Sequence, residues 1–357
     1  MAKKIGILTG GGDAPGLNAV IRGIVVNGTK SGYEVWGFMD GWAGVLNGNA
    51  KKLILDDVEQ IHCKGGTIIG TSRTPIFPKK GKSNVDRSDE AVKHLKEMDL
   101  HALIVIGGDD TQGEADRLFK DQRFPHVVGV PKTIDNDLRS TDYTFGFNTA
   151  VQIASEAIDR LHTTANSHHR VMVVEIMGRH AGWMTIEAGM AGGAHVILIP
   201  ETKYDMNDVY KVIKDRYESG KGYTIIAVAE GIEETSESKE TDAFGNVKLG
   251  GVCETLEARI QEWMIENLEK PYPEFKFEAR SVRLGHLQRG GSPTAFDRIL
   301  GTRLGVQAIE LVKNETWGHM VSLQGTEIKA VKLEDAVGGY KIVPDYRHEE
   351  AELFTGL

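Results

Sequence analysis

The chain has 357 residues, of which 40% are hydrophobic and 26% are charged, as in an ordinary globular protein. Its formal net charge of −9 argues against a nucleic-acid-binding protein, because such proteins need a basic surface. Two cysteines are too few for a disulfide framework, and no signal-peptide pattern or apolar run of about 18 residues is found, so we expect a cytoplasmic protein without membrane spans.

Short runs rich in β-branched residues alternate with longer amphipathic runs along the chain. The predicted strands cover 5–8, 103–106, 126–130, 171–176, 196–199, 223–229 and 281–284, and helices are predicted at 17–29, 112–119 and 183–190. This alternation is typical of βαβ units, so it predicts an α/β fold with mainly parallel sheets. Ligands bind such sheets at the carboxyl ends of the strands, so the loops that follow strands are the candidate site. The polar segment 233–246 is predicted to be a surface loop.

The first predicted strand runs into the glycine-rich segment 9–18, which reads TGGGDAPGLN. Such a turn presents backbone N–H groups and a helix N-terminus to an anion. It is not the dinucleotide-binding fingerprint, because Pro15 stands where that motif has its third glycine. By itself the segment fits either a phosphate-binding loop or a tight turn without a ligand.

The strand predicted at 103–106 ends in the segment 107–111, GGDDT. Two glycines followed by two carboxylates suit a loop that approaches a phosphate and binds Mg²⁺. Helix capping is the alternative, because Asp109 or Asp110 precedes the predicted helix 112–119. The segment alone supports both interpretations equally.

The strand predicted at 126–130 opens into the segment 131–137, PKTIDND. In an extended segment side chains alternate, so Thr133, Asp135 and Asp137 are expected to share one face. One carboxylate is suited to act as general base for a sugar hydroxyl, and Lys132 to neutralise a transferred phosphate. A purely structural Asx-turn is the alternative.

Three further strands end in MGRHAG at 177–182, in Glu230-Gly231, and in GHLQRGG at 285–291. An arginine beside glycine, as at Arg179 and Arg289, suits a bidentate contact with a phosphomonoester. Taken singly, each of these arginines is more typical of a protein surface.

Together these segments resemble the phosphofructokinase family, and the match runs from Lys4 to about Val312 with the motifs in the family's order. The occurrence of GGD, TIDND, MGR and HLQR in one chain is highly specific. The resemblance implies two Rossmann-like, three-layer α/β domains with mainly parallel sheets and the active site in the cleft between them. Residues 1–140 and about 254–305 would bind the donor phosphates, and 141–253 and about 306–357 would bind fructose 6-phosphate.

The resemblance also implies the roles of the donor-binding and catalytic residues. The donor phosphates would contact Gly11, Gly12, Arg73, Asp110 and Lys132, and Asp109 would bind the cofactor Mg²⁺. Asp135 would take the proton from the sugar 1-hydroxyl, flanked by Thr133 and Asp137. Arg179 would stabilise the charge on the transferred phosphoryl group. Phosphoryl transfer needs alignment and charge neutralisation rather than a covalent intermediate, and these residues supply both.

Further residues match the family's contacts with fructose 6-phosphate. Sugar contacts are implied for Met177, Gly178 and Glu230, and 6-phosphate contacts for His286 and Arg289. Arg170 and Arg280 would reach the 6-phosphate from a neighbouring subunit. We therefore expect a homo-oligomer in which each subunit completes its neighbour's site.

Two residues bear on the choice of phosphoryl donor. ATP-using members commonly have glycine where this chain has Asp110, and bacterial allosteric members also have glycine where it has Lys132. A carboxylate about 4 Å from the ATP α-phosphate would be repelled by up to about 4 kcal/mol at an effective dielectric near 20. The pair therefore resembles the pyrophosphate-dependent branch, with ATP as the alternative donor.

Two other classes of protein are compatible with parts of the sequence. NAD and lipid kinases share the Gly-Gly-Asp turn but are not expected to carry MGR and HLQR. A non-catalytic sugar-phosphate sensor would not need Asp109, Asp135 and Arg179. The chain also departs from allosteric bacterial members, since only Arg22 remains of their arginine cluster, so control by nucleoside diphosphate or phosphoenolpyruvate is not expected.

Overall fold

The structure is a computed structural model that describes residues 2–79, 83–232, 249–270 and 276–356. The surface loop predicted at 233–246 lies outside the described residues. Among the described helices, none is both long and apolar enough to cross a membrane.

The strands of the described residues are, in chain order, β1 (Lys4–Thr9), β2 (Glu34–Phe38), β3 (Ala50–Leu53), β4 (Leu100–Gly107), β5 (Val127–Thr133), β6 (Phe145–Gly146), β7 (Arg170–Ile176), β8 (Val196–Leu198), β9 (Thr224–Ala229), β10 (Glu278–Arg283), β11 (His319–Gln324) and β12 (Glu327–Lys332). The α-helices are α1 (Leu17–Lys30), α2 (Trp42–Leu46), α3 (Ser88–Glu97), α4 (Asp109–Lys120), α5 (Phe147–His168), α6 (Trp183–Ala191), α7 (Met206–Glu218), α8 (Val252–Met264), α9 (Ala295–Lys313), α10 (Leu333–Ala336) and α11 (Asp345–Glu352). Every strand and helix predicted from the sequence corresponds to one of these elements.

Two sheets organise the chain. The larger has the order β12-β11-β5-β4-β1-β2-β3, with β6 pairing to β5, and the smaller has the order β10-β7-β9-β8. Strand pairs are parallel throughout the smaller sheet and in the centre of the larger one, and among the described strands only β3 and β12 run antiparallel to their neighbours. The expected α/β fold with mainly parallel sheets is confirmed.

Each sheet is covered by helices on both faces, because its strands are apolar on both sides. On β4, Ile104 and Ile106 pack with α1 and α9, whereas Leu103 and Val105 pack with the side formed by α2, α3 and α4. The smaller sheet repeats this pattern with α5 and α6 on one face and α7 and α8 on the other. The period of two along each strand thus produces two three-layer units.

The sheets divide the C-terminal part of the chain differently from the expected boundaries. Strand β10 pairs with β7 of the smaller sheet, although it lies in 254–305, which we had assigned to the donor-binding domain. Conversely, β11 pairs with β5 of the larger sheet, although 306–357 had been assigned to the sugar-binding domain. Local sequence pattern does not specify which distant strand supplies a pairing edge, so it could not place β10 and β11 in their sheets, and the division into donor-binding and sugar-binding domains stays a prediction.

Candidate active site

One cavity of about 290 Å³ lies at the carboxyl ends of the parallel strands. It is lined by Gly11, Gly12, Arg73, Lys79, Gly108, Asp109, Asp110, Thr111, Lys132, Thr133, Asp135, Asp137, Arg179, Arg289 and Tyr340. These residues follow strands of both sheets, so loops that are distant in sequence meet at one place. Five basic and four acidic side chains in one small cavity suit an anionic ligand accompanied by a cation.

The glycine-rich turn after β1 packs closely against the side chain of Arg289, another residue of the cavity lining. A Cβ atom on Gly12 would lie only 2.2 Å from Nη1 of Arg289, so a larger residue would displace that arginine. Nη1 of Arg289 donates to the Asp13 carbonyl at 3.3 Å, and its Nε is buried without a hydrogen-bond partner. A buried, unpaired N–H of a guanidinium indicates that an anionic ligand is needed to complete the site.

The turn after β4 presents two carboxylates. Helix α4 begins at Asp109, and its N-cap residue, Gly108, has no side chain that could cap the helix. The Asp109 Oδ1 atom accepts instead from the backbone N–H of Gly338 at 2.9 Å. Burial is the main cause that raises the pKa of the Asp109 carboxyl. Neither Asp109 nor Asp110 is therefore the N-cap residue of α4, and both line the cavity.

The segment after β5 shows the expected alternation. Thr133, Asp135 and Asp137 line the cavity, while Ile134 is buried in the apolar core. The Thr133 hydroxyl oxygen accepts from the Asp135 N–H at 3.0 Å, and Asp135 Oδ1 is buried without a hydrogen-bond partner. The strand also runs three residues beyond its predicted end, so Lys132 projects from β5 itself.

Burial changes the protonation of two groups in this segment. The Nζ atom of Lys132 donates to the Gly12 carbonyl at 2.5 Å, and burial, followed by the Arg289 charge, lowers the pKa of Lys132 to about 8. Burial and the neighbouring Asp135 charge raise the pKa of Asp137 to about 7. Asp137 therefore exchanges its proton near neutral pH, in contrast to an ordinary carboxyl.

The loop after β7 holds Arg179 in an unusual conformation. Its φ of 55° lies in the left-handed region, which costs energy for an arginine and is typical of functional sites. The Glu230 Oε1 atom accepts from the backbone N–H groups of Gly178 and Arg179 at 3.3 and 3.1 Å. A Cβ atom on Gly231 would lie 1.6 Å from the Arg179 carbonyl oxygen, so this position requires glycine.

Six of the candidate residues do not line the cavity. Met177, Gly178 and Glu230 lie directly behind Arg179, and His286 is exposed in the turn Gly285–Arg289. Arg170 and Arg280 line a separate depression on β7 and β10, where both pair with Glu278. Within one subunit these two arginines do not reach the cavity, so contact with a phosphate there needs another copy of the chain.

Two cavity residues were missed by sequence reasoning. Lys79 forms an ion pair with Asp110 across the mouth of the cavity, and Tyr340 extends into it from the segment before α11. Neither residue follows a predicted strand, so the strand-end criterion had no means of finding them. Thr111 and Gly108 also line the cavity, within a motif that the sequence had already identified.

Comparison with known proteins identifies the family. The family model described as Phosphofructokinase matches residues 4–312. The chain is 50% identical to the pyrophosphate--fructose 6-phosphate 1-phosphotransferase of Amycolatopsis methanolica, and the alignment covers 99% of this chain and 100% of that protein. It is 46% identical to the ATP-dependent 6-phosphofructokinase 3 of Streptomyces coelicolor, and the alignment covers 98% of this chain and 99% of that protein. In the T-state phosphofructokinase structure from Pichia pastoris, 94% of this chain superposes with a TM-score of 0.76 and 31% identity, spanning 35% of that longer chain. The arrangement of the cavity and these similarities show together that the chain belongs to the phosphofructokinase family.

Proposed function

We propose that this protein transfers a phosphoryl group from pyrophosphate to the 1-hydroxyl of fructose 6-phosphate, giving fructose 1,6-bisphosphate and phosphate in a reversible reaction of glycolysis and gluconeogenesis. The observation that carries the proposal is the buried, unpartnered Asp135 Oδ1 in a cavity that also contains Lys132 and Arg179. An unsatisfied carboxylate oxygen beside phosphate-neutralising cations is the arrangement that a hydroxyl nucleophile requires.

The proposed reaction uses the cavity residues as follows. The sugar 1-hydroxyl oxygen attacks the terminal phosphorus of the donor as its proton passes to Asp135. The bond between that phosphorus and the bridging oxygen breaks, and its electron pair leaves with phosphate. Arg179 and Lys132 stabilise the negative charge on the transferred group and on the leaving group, while Thr133 positions Asp135 through its hydroxyl oxygen.

The acidic residues of the cavity fit a magnesium site. Asp109 and Asp110 are adjacent carboxylates, and Thr111 adds a hydroxyl beside them. Mg²⁺ prefers such oxygen ligands, together with waters and substrate phosphates. Asp109 would hold the ion, which when bound neutralises phosphate oxygens of the donor.

The 6-phosphate of the sugar is proposed to bind Arg289, whose Nε has no protein partner, with His286 beside it. Arg170 and Arg280 of a neighbouring subunit would complete this contact. They lie on the adjacent strands β7 and β10, where Arg170 is the Cα partner of Glu278, and both side chains form ion pairs with Glu278.

Pyrophosphate is favoured as donor by the residues around Asp110. Asp110 forms an ion pair with Lys79, and this pair offsets part of the repulsion that an isolated carboxylate would exert on the ATP α-phosphate. We infer that the pair would obstruct the rest of a nucleotide at this wall of the cavity, whereas pyrophosphate has no such extension. Relatives named for pyrophosphate and relatives named for ATP are similarly identical to this chain, so an ATP-dependent enzyme is the second candidate.

A donor competition assay tests the proposal. The purified protein is given fructose 6-phosphate and Mg²⁺ with pyrophosphate, ATP or ADP in parallel. We expect turnover with pyrophosphate and at most a trace with ATP. Turnover with ATP alone would favour the second candidate, and the absence of turnover with every donor would favour a non-catalytic sugar-phosphate sensor.

Substitution of Asp110 separates bulk from charge in donor choice. We expect Asp110→Gly to gain ATP-dependent turnover, because the substitution removes both the side chain and its ion pair with Lys79. The matched variant Asp110→Asn removes the charge but keeps the size, so it should gain much less. Failure of Asp110→Gly to gain any ATP activity would refute this explanation of donor choice.

A further inference from the structure

The last part of the chain crosses the active-site cleft as a strap, which we define as residues 337–343. Its Gly338 N–H donates to Asp109 Oδ1 at 2.9 Å, and its Lys341 N–H donates to the Asp137 carbonyl at 2.8 Å. Between these two contacts, Tyr340 forms a β-bridge with Leu138. The strap is therefore fixed on both sides of Tyr340 by residues of the cavity itself.

The strap is also fixed to the unit of the smaller sheet. The Trp183 Nε1 atom donates to the Lys341 carbonyl at 2.8 Å, and the Val343 N–H donates to Glu201 Oε1 at 3.0 Å. Lys341 Nζ donates to the carbonyl oxygens of Thr141 and Asp142, both at 2.8 Å. A segment with partners on both units holds its side chains in a defined position, which a site residue requires.

Tyr340 is the side chain that this strap places on the cavity. It lines the cavity with Asp109, Asp110 and Arg179, and its ring centroid lies 5.5 Å from that of His180. About half of its surface, 52%, is exposed, so the ring is available to a ligand. Burial, followed by the Asp109 charge, raises the pKa of Tyr340, so its hydroxyl remains a proton donor at neutral pH.

We propose that the Tyr340 hydroxyl donates a hydrogen bond to a phosphoryl oxygen of the donor, making Tyr340 a further donor-positioning residue. The inference rests on the proposed function, since it takes the ligand near Asp109 to be a phosphoryl donor. The donor is favoured over the sugar because the strap contacts Asp109, and Asp110 lines the same part of the wall. An uncharged hydroxyl at this position can donate a hydrogen bond to a phosphoryl oxygen without adding to the positive charge of the cavity.

The test compares Tyr340→Phe, which removes only the hydroxyl, with the wild-type enzyme. A hydrogen bond to a charged group contributes enough that KM for the donor should rise about ten- to a hundredfold. KM for fructose 6-phosphate should change less than about twofold. The matched control is Tyr346→Phe, since Tyr346 is an exposed tyrosine on α11 outside the cavity, and it should leave both KM values unchanged.

Several outcomes would overturn the proposal. An unchanged donor KM, or an increase confined to the sugar KM, would exclude the contact with the donor. Faster pyrophosphate hydrolysis without sugar in Tyr340→Leu but not in Tyr340→Phe, with the donor KM unchanged in both, would assign the ring a role in excluding water instead. Thermal unfolding of both variants shows whether the fold is intact, and Tyr340→Leu provides a second variant that lacks the hydroxyl. The donor KM is measured with whichever donor the wild-type enzyme accepts, so the test of Tyr340 holds for pyrophosphate and for ATP alike.

Discussion

At the scale of single residues, the site depends on one carboxylate with an unused oxygen. Asp135 is buried, accepts no hydrogen bond at Oδ1 and is oriented through its own N–H by Thr133. An acceptor of this kind is costly to leave unpaired unless a ligand satisfies it. The sugar hydroxyl is that ligand in the proposed reaction.

Asp135→Asn tests this role, because asparagine keeps the size of the side chain but cannot accept the proton. We expect kcat to fall at least about a hundredfold, while binding of fructose 6-phosphate, measured by calorimetry, is retained. Asp142→Asn, which alters a carboxylate outside the cavity lining, is the matched control. Near-normal turnover of Asp135→Asn would exclude Asp135 as the base.

If Lys132 has the proposed role, the activity is expected to fall at alkaline pH. Burial lowers its pKa to about 8, so the ammonium is protonated below that pH and loses its charge as the pH rises through it. In the free enzyme kcat/KM should therefore decline above about pH 8. Lys132→Arg keeps the charge at all of these pH values, so the decline in kcat/KM should shift to higher pH or disappear, even if the rate is lower. If kcat/KM of the variant declined over the same pH range, the decline would be due to the titration of another group.

At the scale of elements, the site is formed where the parallel strands end. Strands β1, β4 and β5 of the larger sheet and β7 of the smaller sheet each lead directly into a loop of the cavity. The buried strands fix these loop ends, whereas the loops carry the polar groups. This division explains how four short motifs, distant in sequence, produce one site.

Helix α1 and the segment 54–59 contain the residues that were compared with the arginine cluster expected of allosteric bacterial members. Arg22 Nε donates to the Glu59 carbonyl at 3.2 Å, and Val26 packs against the apolar core. Too few cations remain there to bind a multiply charged effector. We expect ADP and phosphoenolpyruvate to leave the saturation curve for fructose 6-phosphate hyperbolic and unshifted. Sigmoidal kinetics that ADP relieves would reveal an effector site elsewhere.

At the scale of the whole molecule, the placement of Arg170 and Arg280 bears on assembly. They lie in a depression separate from the cavity, so a role at the 6-phosphate requires a second subunit. In a symmetric dimer each site would combine Asp135 of one copy with Arg170 of the other.

Subunit complementation tests this arrangement. Asp135→Asn and Arg170→Ala are each expected to be nearly inactive, but a co-expressed mixture contains hybrid dimers with one intact site. Random pairing gives hybrids in about half of the dimers, so about a quarter of the wild-type activity should return. Co-expression of Asp135→Asn with Lys132→Gly is the control, because both changes affect the same subunit's cavity. Equal activity of the two mixtures would place Arg170 outside a neighbour's site.

The sequence by itself determined the fold class, the strands that carry the loops and most of the cavity. Alternating apolar residues specify strands, and glycine, carboxylate and arginine motifs directly after them remain at the strand ends in any parallel sheet. The alternation that places Thr133, Asp135 and Asp137 on one face is also local, and the structure shows it.

Only the tertiary structure decided which distant segments complete the two sheets and the lining of the cavity. Strand β10 joins the smaller sheet and β11 the larger one through pairing edges that no local pattern encodes. Lys79 and Tyr340 reach the cavity because an ion pair with Asp110 and the strap contacts to Asp109 and Asp137 hold them there. Such contacts depend on how complete layers pack against one another, so they appear only once the chain is folded.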